Sequence, residues 1–255
     1  MPYVCPDYPE PADVKRAVDA RQSRLYRGYN SLEDGAHNCK RGMGTRDGKE
    51  SFVVGMEEGT SPMHGKNQWP ADDKFRQNIE PYFAAVRDAG LAVARGLALS
   101  LGLDESFFLD RLTSPVAQMV LLRYEAESRI DKAAVGDTIG CGAHTDCGFL
   151  TLLVQDSTPG LEVQLPQTKE WVSAPARPGC LLVNLGDMVS AWTDGALVST
   201  THRVVSHPTQ ARQSIVVFMN PDFDAAMRAG TTCGQYLLSK LGLMWLDAPS
   251  APAPE

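Results

Sequence analysis

No run of about 20 apolar residues occurs in the 255-residue sequence, so no segment reads as a membrane-spanning helix. The first residues, Met1-Pro2-Tyr3-Val4-Cys5-Pro6-Asp7-Tyr8, lack both a basic start and an apolar stretch, so no export signal is visible. Positive charge is in deficit: 24 Lys and Arg stand against 31 Asp and Glu, a formal net charge of −7. That balance argues against a general nucleic-acid or anionic-membrane surface. Cysteine is sparse. The six, at positions 5, 39, 141, 147, 180 and 233, are too scattered for the disulfide framework of a small secreted domain. They are expected to be reduced thiols, mostly small buried hydrophobes, in a cytoplasmic protein. There is no internal repeat. What is present is ordinary globular composition, 43% hydrophobic and 22% charged with 22 Gly and 17 Pro, enough for one large domain or a core with a helical flank.

The first 70 or so residues are polar and irregular in pattern. One short helix is expected over Asp13 to Leu25, with Val14, Ala17, Val18, Arg21 and Leu25 at helical spacing. Loop-forming residues dominate from Arg27 to Gly48. Lys49 to Gly55 is a strand or turn candidate, and Gly59 to Asp73 reads as loop. Phe75, Ile79, Phe83, Val86, Val93 and Leu97 then mark a long amphipathic helix. Pro81 should kink or restart it, Gly102 should stop it, and Asp104 should cap a short helix through Phe107 and Phe108.

From about residue 117 the period changes to that of strands, at 117–124, 149–155, 161–165, 180–185, 188–193, 202–206 and 214–219. Strands at that spacing without intervening helices predict a sandwich or jelly roll. After Pro221 a helical pattern returns through Tyr236, Leu237, Leu238 and Leu241. The tail 248–255, rich in Pro and Ala, is expected to be disordered.

His144-Thr145-Asp146 is the first chemical signal. Residues i and i+2 of an extended chain project from one face, so one metal can take an imidazole nitrogen and a carboxylate oxygen from a single strand end. The third ligand must come from a distant strand, and His202 is the candidate. Two imidazoles and one carboxylate form the ligand set of a non-haem Fe(II) centre with open positions. Neither the four-ligand set of structural zinc nor the all-oxygen set of calcium matches it. A competing zinc site, Cys141-x2-His144-x2-Cys147, lacks a fourth ligand nearby. His207 is a second choice to His202. His37 and His64 lie in loop-like sequence and are expected to be solvated.

Arg212-Gln213-Ser214 is the second signal. A dicarboxylate chelating the metal at one end leaves its other carboxylate some distance away, where Arg212 can pair with it bidentately and Ser214 can add a hydrogen bond. Phe149, Phe218 and Asn220, close in sequence to these strands, are candidate pocket residues.

These segments resemble the isopenicillin N synthase-like branch of the 2-oxoglutarate and Fe(II)-dependent dioxygenases. The resemblance rests on Ile139 to Asp146, Gly160-Leu161-Glu162-Val163-Gln164, Pro178 to Asp187, Trp192-Thr193-Asp194-Gly195, Ser199 to Val204 and Arg212 to Pro221. Weaker echoes are Arg27-Gly28-Tyr29, Lys49-Glu50-Ser51-Phe52 and Asn67-Gln68-Trp69-Pro70. It covers most of residues 24–245 and implies a mostly β protein with flanking helices around a double-stranded β-helix (jelly-roll) core. It implies Fe(II) held by His144, Asp146 and His202, with 2-oxoglutarate, anchored by Arg212 and Ser214, and O2 as cosubstrates. Tyr124 resembles the tyrosine that touches 2-oxoglutarate in many members; an ordinary strand aromatic is the equal alternative.

Two departures stand out. Members usually carry Pro after that tyrosine, and plant members often have Asn two residues before it; Glu125 and Leu122 stand there. Members also begin with a region of strand and helix ending near Asn-His-Gly, and the chain is expected to start after it. The expected layout is a helical or irregular flank over 1–112, the dioxygenase core over 113–224, a C-terminal helix over 225–247 and the tail. The expected reaction is hydroxylation or desaturation of a small organic molecule with release of succinate and CO2, with no nucleic-acid, membrane or protein partner. The alternatives are a related iron oxidase that does not use 2-oxoglutarate and an inactive truncated jelly-roll protein.

Overall fold

The computed structural model describes residues 12–31, 46–130, 138–227 and 230–244. Cys5, His37, Cys39 and the tail 248–255 lie outside the described residues. The elements in chain order are α1 (Ala12–Ala17), β1 (Gly28–Asn30), β2 (Arg46–Asp47), β3 (Lys49–Gly55), α2 (Asp73–Ser100), β4 (Pro115–Tyr124), β5 (Thr138–Ile139), β6 (Cys141–His144), β7 (Leu150–Gln155), β8 (Leu161–Gln164), β9 (Trp171–Ser173), β10 (Leu182–Leu185), α3 (Asp187–Trp192), β11 (His202–Val204), β12 (Arg212–Asp222) and α4 (Cys233–Met244).

Two antiparallel sheets make the core. The larger has the order β1-β3-β4-β12-β7-β10 and the smaller β6-β11-β8-β9. The segment ahead of residue 113 thus supplies two strands, β1 and β3, to the larger sheet. Strand alternation gives that sheet two apolar faces. On the outer face Val54, Met119, Leu121, Leu152, Val154, Ile215, Val217 and Met219 join the buried side of α2. On the inner face Tyr124, Leu153 and Val216 meet Leu161 and Val204 of the smaller sheet. β7 is buried along its whole length, as a central strand covered on both sides must be.

The long helix follows the expected apolar spacing at Ile79, Phe83 and Val86; beyond them the buried residues are Gly90, Ala94 and Ala98, with Phe75, Val93 and Leu97 only half-buried against the core. Asp72 caps its start by accepting from Lys74 N at 3.0 Å. Its end is a Schellman turn: Gly102, at φ +70°, donates to Leu99 O at 3.0 Å, and Leu103 N donates to Ala98 O at 3.0 Å. At Gly90 a Cβ would collide with Met219 Sδ, so glycine lets the helix lie close against the sheet.

Several expectations are corrected. The helix runs through Pro81 without a restart. The single helix expected over 13–25 is α1 followed by a 3₁₀ turn over Ala20–Gln22, because the Asp19 carboxylate accepts from Arg21 N at 2.8 Å, a local bond that competes with helix continuation. The strand expected at 188–193 is instead α3, with Met188, Val189 and Trp192 buried on one helical face. An apolar run this short fits either period. β1 and β9 fall in sequence with no clear alternation, and pairing supplies their order. Asp104 caps a turn through Ser106 N at 2.9 Å, ahead of a 3₁₀ turn over Leu109–Arg111.

Candidate metal centre

His144 ends β6, His202 begins β11, and the two are direct cross-strand partners. Asp146 follows β6 by two residues. Among the described residues, His144, Asp146 and His202 form the group of side chains that could hold a metal ion, one ligand atom from each lying within 4.8 Å of the others. The Asp146 Oδ1 is 3.8 Å from the Nε2 of each histidine. Two atoms bonded to one ion at about 2.1 Å are at most about 4.2 Å apart, so these spacings are within reach of a single ion.

The tautomers suit a metal. His144 Nδ1 is 2.7 Å from Gly142 O, and His202 Nδ1 is 3.1 Å from Thr200 O. A carbonyl can only accept, so Nδ1 carries a proton in both rings, and it is Nε2 that faces inward and offers its lone pair to an ion once it is deprotonated. The Asp146 carboxylate, 7% exposed, is held on its other oxygen by Thr151 Oγ1 and Asn184 Nδ2, both at 2.6 Å. Neither of these two residues stood out in the sequence; the signal for Asn184 is its place in the Asn-Leu-Gly-Asp segment.

With no ion bound, the two rings differ. Burial works against protonating His144, but the Cys141 thiol, the Gly142 carbonyl and Asp146 outweigh it and push the imidazole up to about 9. His202 is pushed down, by burial first and by the neighbouring His144 second. Their ring centroids are 4.3 Å apart, too close for both to carry charge easily.

Across the barrel interior, Arg212 opens β12 directly opposite Tyr124 of β4. Its guanidinium lies 5.1 Å from the Tyr124 ring centroid. Nη2 donates to Gln155 Oε1 at 2.6 Å and Nη1 to Ser214 Oγ at 3.4 Å. The residue is 2% exposed, and its Nε has no hydrogen-bond partner. Burial lowers the affinity of Arg212 for its proton. A buried cation with an unused donor is costly unless an anion meets it, so this pocket suits a carboxylate. Gln155, whose Nε2 donates to Ala174 O at 2.7 Å, is a member of this cluster that sequence reasoning missed. The donor set therefore fits both kinds of group that the sequence implies: a divalent ion on two imidazoles and a carboxylate, and a carboxylate on the buried Arg212 guanidinium.

Other candidates are placed differently. Phe149 is fully buried on the outer side, against Phe108 and Trp192 at centroid distances of 5.0 and 6.2 Å. Asn220 is structural: Oδ1 accepts from Phe149 N at 3.0 Å and Nδ2 donates to Val116 O at 3.1 Å. Only Phe218 of the three stays with the inner cluster. His207 accepts from Thr209 N and Gln210 N at 3.3 and 3.1 Å in its own turn, outside the triad. His64 is half-buried and bonded to Pro115 O at 3.1 Å, outside the triad. Cys141 lies 3.9 Å from His144 Nδ1, the nitrogen facing away from the triad, while Cys147 packs against the outer core. The two thiols therefore do not assemble a zinc site with His144. Cys180 is exposed rather than buried.

A separate apolar cleft of about 460 Å³, lined by residues including Phe107, Phe108, Trp192 and Met227, shares no residue with the triad or the Arg212 cluster. No helix among the described residues is long and apolar enough to cross a membrane.

Comparison with known proteins agrees with this geometry. Residues 116–221 match the sequence model of the 2OG-Fe(II) oxygenase superfamily. The chain is 35% identical over 223 residues to the 2-oxoglutarate-dependent dioxygenase traH of Penicillium crustosum, covering 84% of this chain and 67% of that protein. It is 38% identical over 168 residues to the homoarginine-6-hydroxylase 2-ODD-C23 of Glycine max, covering 65% of this chain and 51% of that protein. The chain thus spans about two thirds of the first relative and about half of the second. In structure it is similar to a full-length Neurospora crassa protein solved in complex with alpha-KG and thymine, with a TM-score of 0.75 at 29% identity over 92% of this chain and 79% of that one. The chain belongs to the 2OG-Fe(II) oxygenase superfamily, and its two-sheet core is the double-stranded β-helix of those enzymes. It is an oxidoreductase of the 2-oxoglutarate-dependent dioxygenase class, whose cofactor is Fe(II) and whose cosubstrate is 2-oxoglutarate.

Proposed function

We propose that the protein oxidises a small organic substrate, by hydroxylation or desaturation, with conversion of 2-oxoglutarate to succinate and CO2. The observation that carries this reading is the convergence of Asp146 Oδ1 on the Nε2 atoms of His144 and His202, 3.8 Å from each. In this reading those three side chains hold the iron. When bound, Fe(II) with 2-oxoglutarate supplies the oxidising power that turns dioxygen against a substrate C–H bond.

The chain's own part is placement. Residues 113–224 form the catalytic core of this reading, flanked by 1–112 and by the C-terminal helix within 225–247. The Nδ1 hydrogen bonds to Gly142 and Thr200 keep both imidazoles in the ligating tautomer. Arg212 pairs with the distal carboxylate of 2-oxoglutarate, Ser214 adds a hydroxyl donor on the same strand face, and the Tyr124 ring stacks along the guanidinium. The inner apolar residues Leu153, Leu161, Val204 and Val216 exclude water beside that ion pair, which strengthens it.

The test is an anaerobic titration with Fe(II) and then 2-oxoglutarate, followed by turnover in air. A visible charge-transfer band on adding 2-oxoglutarate, with succinate formed on aeration, is expected. Iron binding without the band or succinate would point to an oxidase independent of 2-oxoglutarate, and no iron binding would refute the catalytic reading.

A further inference from the structure

The two oxygens of Asp146 have different surroundings. Oδ1 faces the two imidazoles at 3.8 Å. Oδ2 is turned into the protein and takes two donors on one atom, Thr151 Oγ1 and Asn184 Nδ2, each at 2.6 Å. The donors come from neighbouring strands, β7 and β10, in which Thr151 and Asn184 are direct cross-strand partners. The backbone fixes the same turn: Asp187 N donates to Asp146 O at 2.7 Å, and Gly186 N donates to Phe149 O at 3.1 Å. Gly186 is required there, because a Cβ would overlap the Gly148 carbonyl.

We infer that Thr151 and Asn184 are positioning residues that hold Asp146 as a one-oxygen ligand, keeping the other metal positions open for cosubstrate and dioxygen. The inference rests on the proposed reading of His144, Asp146 and His202 as the iron ligands. A carboxylate free to turn about its Cβ–Cγ bond can take a cation with both oxygens. Two short hydrogen bonds to Oδ2 stop that rotation and direct Oδ1 at the histidines. Both donors are neutral. They satisfy Oδ2 in a 7% exposed position without placing a second positive charge beside the metal. A Lys or Arg there would satisfy Oδ2 equally well but would oppose cation binding.

The experiment compares Thr151→Val, Thr151→Ser, Asn184→Ala and Asp146→Ala with the parent, by anaerobic Fe(II) titration followed by addition of 2-oxoglutarate. T151V and N184A are expected to weaken iron binding about 10–100-fold, as loss of a partner to a metal ligand commonly does. Both should also lose the charge-transfer band more than iron occupancy alone explains, and T151S should restore both. A merely structural role would lower the unfolding midpoint and leave the iron affinity of the folded fraction unchanged. Should T151V fail to fold, N184A and T151S carry the comparison. Parent-like iron affinity and band in N184A or T151V, with both lost in D146A, would overturn the positioning role and leave the triad standing. Parent-like iron binding by D146A would overturn the triad itself.

Discussion

Gln155 Oε1 accepts from Arg212 Nη2 at 2.6 Å, so a neutral amide occupies the place where a carboxylate would neutralise the buried guanidinium. That leaves Arg212 with positive charge to offer and a fixed orientation. Gln155→Glu should give Arg212 an internal counter-ion. The variant is expected to stay folded but to raise the KM for 2-oxoglutarate by tenfold or more, since a hydrogen bond to a charged group contributes about 1.5–3 kcal/mol. Gln155→Leu should raise KM for the opposite reason, a loosened guanidinium. Steady-state kinetics with varied 2-oxoglutarate decide it, and an unchanged KM in both variants contradicts this role.

Metal should stabilise the fold through the triad. An ion that binds only the native state at about 100 times its Kd adds about 2.7 kcal/mol, or roughly 5–10 °C in Tm for a chain of this size. Thermal unfolding with Fe(II) or Co(II), against a chelator control, should show that rise. Asp146→Ala should abolish the shift.

Gly160, at φ +152°, closes on the Arg212 cluster: a Cβ would be 2.6 Å from Val205 O and 3.3 Å from Arg212 Cδ. Gly160→Ala is expected to cost roughly 1–3 kcal/mol in backbone strain. It should also displace Arg212. Denaturant unfolding and the KM for 2-oxoglutarate should therefore worsen together; a stable variant with unchanged KM would contradict the contact.

Burial pushes the Cys233 thiol up to about 12, with Asp222 adding to the shift. The native state then holds the proton more tightly than the unfolded chain, whose thiol titrates near 8.5. Its contribution to stability is complete below about pH 8.5 and is lost as pH rises toward 12. Site-resolved alkylation at pH 8 should label exposed Cys180 quickly and leave Cys233 unlabelled until the protein unfolds. Rapid native-state labelling of Cys233 would show that its helix opens readily.

Much of the site was legible in the sequence because its logic is local. Arg212 and Ser214, at i and i+2, share a face of β12 by strand geometry alone, and His144 and Asp146 are two residues apart, although Asp146 lies just past the end of β6. The distant His202 was legible only as a ligand of the right type in the right order.

What the sequence determined by itself was the change from helical to strand period, the residue types of the centre and their pairing in twos close together in the chain. Tertiary structure decided which strands meet. It joined β1 and β3 to the larger sheet, made a helix of 187–192, set Phe149 N against Asn220 Oδ1 outside the triad, and brought Thr151 and Asn184 to Asp146 and Gln155 to Arg212. The physical reason is that alternation along a strand defines two faces but does not say which is interior. Cross-strand neighbours are set by register between segments far apart in the chain, and no local spacing encodes that register.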